Sequence, residues 1–362
     1  MEEPKKPNIW VRIYRWFIRH YKIILISLGS FILVAGGVVA FLFFTNKPTT
    51  VVETPAVEVV ETPPPEPIKY YSPLTGMLVA DEATTKQAVT GIMIENSPDA
   101  RPQSGIKNSG VVFEAIAEAG ITRFLVIYQE QKPQLIGPVR SVRMYYVDWI
   151  AAFDASIGHV GGSAAAMAEV QNGNYRNIDQ FYNGGYYWRS DDRYAPHNVY
   201  TSFQNIDALN LSKGYTTSTF TGFTRIDGLV SPTPDATNIN VTISNDMFNS
   251  SYIYDSLTNT YARSQAGEPH LDREAGQITP SVVVALHVDE YTMSDGHEDI
   301  TTIGSGNATI FQNGTATNAI WTKASKTSQI KFTDAVGADI PLVKGQAWIV
   351  AVPNDDGAVT WS

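Results

Sequence analysis

The stretch from Val111 to Tyr128, VVFEAIAEAGITRFLVIY, holds Val111 to Glu118, which alternates or nearly alternates apolar and polar, and the apolar run Ile121 to Tyr128, on either side of Gly120. Runs of this length bounded by glycine read as neighbouring strands joined by a turn. Gly91-Ile92-Met93-Ile94-Glu95 upstream has the character of a third, buried strand. Downstream the pattern changes. After Gly137-Pro138, residues Val139, Val142, Tyr146, Trp149, Ile150 and Phe153 recur at helical spacing. Proline suits a first helical turn, so the spacing predicts a helix starting near Pro138. Ala155 to Val160 reads as a strand and Ala164 to Val170 as a helix, and Thr201 with Gln204 makes a capping-box signature for a helix into Ala208 and Leu209.

From about residue 240 the texture becomes β. Val282, Val284, Leu286 and Val288 alternate with other positions, and Asn313-Gly314 joins two threonine-rich runs as a tight hairpin turn. Ile330 to Phe332, Ile340 to Val343 and Trp348 to Val352 supply further short strands. The fold class is α+β: a mixed α/β domain over 70–225 and a smaller antiparallel β domain over 240–355, with the Thr, Gly, Ser and Pro-rich stretch from Gly214 to Asn240 bridging them.

The N-terminus has another character. Ile23 to Phe44 runs 22 positions without a charge, preceded by Lys5, Lys6, Arg12, Arg15, Arg19 and Lys22. Such a helix rises about 33 Å, enough to cross a hydrocarbon core of about 30 Å. The basic segment 1–22 belongs in the cytoplasm, which places the C-terminal module outside the cell membrane as a single-pass protein. A cleaved signal peptide usually has an apolar region of about 7–15 residues and a small-x-small cleavage site, and this exit through Phe43, Phe44, Thr45, Asn46 and Lys47 offers none. Segment 45–69 contains Pro48, Pro55, Pro63, Pro64, Pro65 and Pro67 among like-charged glutamates and reads as an extended linker.

The chain contains no cysteine, which excludes disulfides, thiol catalysis and thiolate metal sites. Residues 70–362 carry 18 basic and 30 acidic side chains, net −12, a field that does not recruit nucleic acid. Asp295-Gly296-His297-Glu298-Asp299 fits neither zinc nor EF-hand spacing, and no dinucleotide fingerprint occurs, so neither a metal site nor a cofactor is expected.

Several segments carry a pattern. Pro73-Leu74-Thr75-Gly76, Ile94-Glu95-Asn96, Ala100 to Gly105, Gly120 to Phe124, Ile136 to Arg143, His159-Val160-Gly161-Gly162-Ser163, Ala195-Pro196-His197-Asn198 and Pro269-His270 together resemble the YerB-like family of bacterial envelope proteins over about 70–355. The resemblance implies a two-part extracytoplasmic module with no established biochemical role. Many members look like lipoproteins, from which this chain departs by lacking the cysteine and carrying an apolar helix.

Candidate residues follow from their chemistry. On a helix starting near Pro138, Arg140 and Arg143 fall in the first turns, where the dipole disfavours cations and an anion relieves them. That anion is either a ligand or the chain's own Glu95, Glu114 or Glu118. Glu114 and Glu118, four apart, share one face, with Arg123 just past the turn: a structural network, a ligand site or an acid–base pair. Gly161, Gly162 and Ser163 suit a strand-to-helix junction that caps or cradles an anion; as a weaker reading Ser163 is a nucleophile with His197 as base. Tyr182 to Tyr200 reads as a recognition loop carrying Arg189, Arg193, His197 and Asn198.

Three function classes remain. The first is binding of an anionic or sugar-containing envelope ligand, a cell-wall glycan or peptide, held by Arg101, Arg123, Arg140 and Arg143, with amides from Gly161 to Ser163 and the Arg189 to Asn198 loop as cover. The second is a wall hydrolase using Glu95, Glu114 or Glu118 with His159 or His197. The third is a scaffold docking another envelope protein. In each, Ile23 to Phe44 engages the lipid bilayer.

Overall fold

The computed structural model describes residues 8–45 and 67–362; most of the proline-rich linker lies outside the described residues. The described residues fall into two bodies. The first contains one helix, α1, Ile9–Thr45, 37 residues with no buried side chain. Its most apolar 18-residue window has a mean hydropathy of 2.5. The helix begins well before Ile23, so much of the basic segment is helical too, with Trp10, Tyr14, Trp16, Phe17 and Tyr21 among its basic residues. Such rings favour a membrane–water interface.

In the second body the first half contributes strands β1 Thr90–Glu95, β2 Val111–Glu118, β3 Ile121–Tyr128, β4 Ser156–Gly158 and β5 Arg176–Asn177. It also contributes helices α2 Met144–Ile150, α3 Ala164–Asn172 and α4 Phe203–Ser212. The second half is β: β6 Asn238–Thr242, β7 Ser250–Asp255, β8 Thr260–Gln265, β9 Glu268–Pro269, β10 Val282–Val288, β11 Gly304–Gln312, β12 Thr315–Lys323, β13 Lys331–Thr333, β14 Ala347–Pro353 and β15 Ala358–Trp361. The Asn313-Gly314 turn forms as expected, both residues at positive φ.

One mixed sheet of ten strands runs β13-β12-β11-β10-β14-β2-β3-β1-β4-β5, and one antiparallel sheet of five runs β9-β8-β7-β6-β15. This is the mixed-plus-antiparallel α+β architecture expected. The ten-stranded sheet crosses the 225–240 boundary, because β14 lies parallel to β2, Ala347 opposite Val111 and Val350 opposite Glu114. The bridging stretch is itself tied down: Arg225–Ile226 pairs parallel with Leu342–Val343.

Central strands covered on both faces read as continuous apolar runs, which is why β2, β3 and β14 show so little alternation. On one face Met93, Val111, Phe113, Leu125 and Ile127 pack against Tyr145, Trp149 and Ile150 of α2 and Ala166 and Val170 of α3. On the other, Ile92, Val112, Phe124, Val126 and Trp348 pack against Ile239, Val241, Tyr252 and Tyr261 of the five-stranded sheet and against α4.

Inside this second interface sits a charge pair. Arg263 Nη2 donates to both Glu114 oxygens at 3.1 and 2.8 Å, and both side chains are fully buried. Trp348 Nε1 donates to the same carboxylate at 2.9 Å, and its ring lies 4.5 Å from the guanidinium. Arg263 Nη1 also donates to His270 Nδ1, whose Nε2 donates to Gln103 Oε1 at 3.0 Å. This arrangement requires a neutral imidazole. Burial, then the charges of Arg263 and Arg101, hold His270 well below the usual histidine range.

Removing one member strands the other in the core, so Arg263→Met should cost about 3–5 kcal/mol in urea unfolding, and Glu114→Gln added to it should restore part of the loss. An unchanged midpoint for the single variant would refute the pair's role. His270 adds a pH term: below about pH 6.5 the unfolded chain takes up a proton that the folded chain refuses. Stability should therefore fall as pH drops below that value, and His270→Gln should remove that part of the slope.

Candidate functional site

Strands β1 and β4 are parallel neighbours, Thr90 opposite Ser156 and Ile92 opposite Gly158, so Glu95 and His159 emerge at the same end. Ligands of open α/β sheets gather outside such carboxyl ends. Residues 136–142 run across this end as extended backbone. Ile94 bridges Val139, Val142 bridges Gly162, Arg140 N–H donates to Met93 O at 2.9 Å, and Val160 N–H donates to Arg140 O at 3.1 Å. The helix expected from Pro138 begins at Met144, with Arg143 at its N-cap. The amides of Val139 and Val142 donate to Val199 O and Gly161 O, so a helical anion site at Arg140 and Arg143 is not formed.

The arginines divide between two places. Arg123 Nη2 donates to Glu118 Oε1 at 2.8 Å, Arg143 Nη2 donates to Glu118 Oε2, and the other ends reach Ser141 O and Val142 O. Both are buried and used internally. Their charges, against the cost of burial, hold the Glu118 carboxyl below its usual range. Glu114 and Glu118 do not share a face as predicted. A bulge between Ile116 and Glu118 breaks the alternation, leaving Glu114 with Arg263 and Glu118 with the arginines beside α2.

Glu95 forms the second place. Its Oε1 lies 2.9 Å from His197 Nδ1, accepts from Ser97 Oγ at 3.0 Å and sits 3.4 Å from Arg140 Nε. The carboxylate is only 5% exposed, and Oε2 has no hydrogen-bond partner among the described residues. Arg140 is 25% exposed, and its two terminal nitrogens likewise make no hydrogen bond there. His197 Nε2 lies on the outer side, 3.9 Å from Asp99.

The remaining candidates hold the surroundings in shape. Arg101 donates to Asn96 O and Met247 O, both at 2.8 Å, and burial pushes its pKa down to about 10. Arg193 donates to Asp99 O at 2.7 Å and Pro102 O at 2.6 Å, and Arg189 donates to Asn198 Oδ1 at 2.7 Å. Asn198 closes the loop by donating to Ser190 O and Arg193 O. Ser163 stands at the N-cap of α3 without a side-chain cap bond, and Gly161 N–H donates to Asp179 Oδ1 at 3.1 Å. At Gly162 a Cβ would meet Val142 O at 2.9 Å, which accounts for that glycine. Four rings stand exposed in the neighbouring loop: Phe181 (69%), Tyr182 (73%), Trp188 and Tyr194 (91%). Phe181 leans over Gly161, and Trp188–Arg189 pairs with Val199–Tyr200.

Two models of the family described as "Protein of unknown function (DUF3048)" match the chain, the N-terminal domain over residues 74–216 and the C-terminal domain over 239–349. The "Putative lipoprotein YerB" of Bacillus subtilis (strain 168) is 35% identical over 303 residues, 80% of this chain and 88% of that protein. The chain belongs to the YerB family. A crystal structure of YerB protein from Bacillus subtilis superimposes with a TM-score of 0.73 at 31% identity, covering 81% of this chain and 100% of that one. The resemblance read from the motifs holds for both sequence and fold. The relative's name speaks of a lipid anchor; this YerB family member has no cysteine to carry one, and its apolar helix fits membrane anchoring.

Two residues beside the candidate site escaped the sequence reading, Asn177 and Asp179, whose i, i+2 spacing on extended chain was the available signal. His159 is fully buried between them and Gly161, out of reach of a substrate. Its Nδ1 faces Gly161 O at 2.8 Å and its Nε2 faces Asn177 Oδ1 at 3.0 Å. Asn177 Oδ1 also accepts from Asp179 N–H at 3.0 Å, which fixes it as the oxygen. Both ring nitrogens therefore need a proton. Burial opposes the charge, while Asp179 Oδ1, 3.8 Å away, and the two acceptors favour it. The geometry supports an imidazolium. Nitrogen-15 spectra of the ring at pH 7 should show both nitrogens protonated; one protonated and one bare nitrogen would refute this.

Proposed function

We propose that this protein is a single-pass envelope protein whose outer module binds an anionic, sugar-containing ligand at the end of β1. The observation carrying the reading is Arg140: a guanidinium with free terminal donors, beside the buried Glu95 carboxylate, at the sheet end whose neighbouring loop carries exposed aromatic side chains. A guanidinium takes a carboxylate or phosphate through paired donors. The exposed rings of the neighbouring loop offer flat apolar faces to sugar. The basic, aromatic start of α1 favours a cytoplasmic N-terminus.

A hydrolase is the second reading, favoured by one geometry. Glu95 holds His197 through Nδ1 and leaves Nε2 turned outward, the orientation of a general base toward water. Of the carboxylates weighed, Glu114 and Glu118 are used by arginines, leaving Glu95.

The test is retention of the full chain, in detergent micelles, on purified wall fragments, with analysis of released products. Arg140→Ala should reduce retention about tenfold while the variant stays folded by circular dichroism, since Arg140 makes no hydrogen bond through its terminal nitrogens and Glu95 keeps His197 and Ser97. Equal retention of the variant would sink the binding site. New wall products that vanish in His197→Ala would move the hydrolase reading ahead.

A further inference from the structure

The ten-stranded sheet ends in β13 on one side and β5 on the other. Both ends line the same cleft of about 1270 Å³: Tyr175 and Arg176 come from the β5 side, Thr322 and Lys331 from the β12–β13 side. The sheet thus curls around α2 and α3 until its two edges face each other across an open seam. Glu169 of α3 and Lys326 of the β12–β13 loop join across it at 2.8 Å. This seam lies at the start of β4 and the end of α3, opposite to the Glu95 and Arg140 site, and shares no lining residue with it.

Its lining has a distinct chemistry. The half-buried rings of Tyr175, Tyr215 and Phe220 lie among exposed threonines, of which Thr221, Thr322 and Thr327 have hydroxyls with no hydrogen bond among the described residues. Charges largely cancel: Arg176 pairs with Asp154 at 2.7 Å and Lys326 with Glu169, leaving Lys331 as the cation of this lining without an ion pair there. Small-molecule pockets span about 300–1,000 Å³, so this volume has room for a longer, chain-like ligand. An extended peptide would need a free strand edge. Here the edge strands are two and three residues long, and Ile340 N–H already occupies Phe332 O at 2.8 Å on the β13 side.

We propose that the seam is a second binding site, one that takes a neutral oligosaccharide. Ring faces meet the C–H faces of successive sugar units, and the threonine hydroxyls, donors and acceptors at once, exchange hydrogen bonds with the sugar hydroxyls. This site does not rest on the Arg140 reading.

The experiment is calorimetric titration of the full chain in lipid nanodiscs with chitohexaose, cellohexaose and, for comparison, a penta-alanine peptide. At least one sugar should bind more tightly than the peptide. Thr327→Trp, which fills the exposed rim without touching the core, should weaken it at least tenfold, and Tyr215→Ala should do likewise at an unchanged fold by circular dichroism. Arg140→Ala should leave sugar binding intact, so failure of the Arg140 site is separable from failure of the seam. Absence of sugar binding at millimolar concentration, binding indifferent to Thr327→Trp, or preference for the peptide would overturn the proposal.

Discussion

The pairing of Glu114 with Arg263 joins the two sheets of the second body. Two opposite charges fully removed from water persist only where their remaining hydrogen-bonding capacity is met, and here Trp348, Gln265, Tyr252 and His270 meet it. Glu114 comes from the middle of the ten-stranded sheet and Arg263 from the five-stranded one, so the position of one sheet over the other is set by an interaction with narrow geometric tolerance. Gln103 extends the same network to Glu95 O and Asn96 Oδ1, connecting the buried charge to the base of the candidate site. The Glu95 carboxylate is therefore held on a support that begins in the core.

That support explains the division of labour among the charged residues. Arg123 and Arg143 balance Glu118, Arg101 and Arg193 pin loop carbonyls, and His159 with Asp179 ties the glycine turn. Arg140 is what the scaffold leaves over. Its terminal nitrogens, near a buried carboxylate yet spared from the hydrogen-bond network, are what set it apart from the other arginines of this end of the sheet.

Sequence reading succeeded where local pattern and tertiary structure agree. The runs around Gly120 are strands, Asn313-Gly314 is the turn of a hairpin, and the helix after Ser163 is in place. It failed at Pro138 because Val139 and Val142 satisfy helical spacing while their amides find acceptors at Val199 and Gly161, which no local pattern contains. The helix at 203–212 is capped by Ser202 through Asn205, one residue after the Thr201 signature. Glu118 was foreseen as a partner for the arginines. The partner of Glu114 stands 149 residues away and had no local signal. The seam was equally invisible, being made by the meeting of two sheet edges distant in sequence.

The position of β14 has a consequence in time. This strand, 347–353, enters the sheet between β10 and β2, so the centre of the larger sheet is completed by a segment made long after its neighbour β2. Until it arrives, Val111 to Glu118 presents an open, apolar edge. Topologies dominated by such distant pairings fold slowly, because loop closure must precede the contacts that reward it. A chain built this way gains the cohesion of its larger sheet only after residues 347–353 have emerged. Its period of greatest vulnerability to aggregation and proteases is therefore the interval between synthesis of the first half and delivery of residues 347–353.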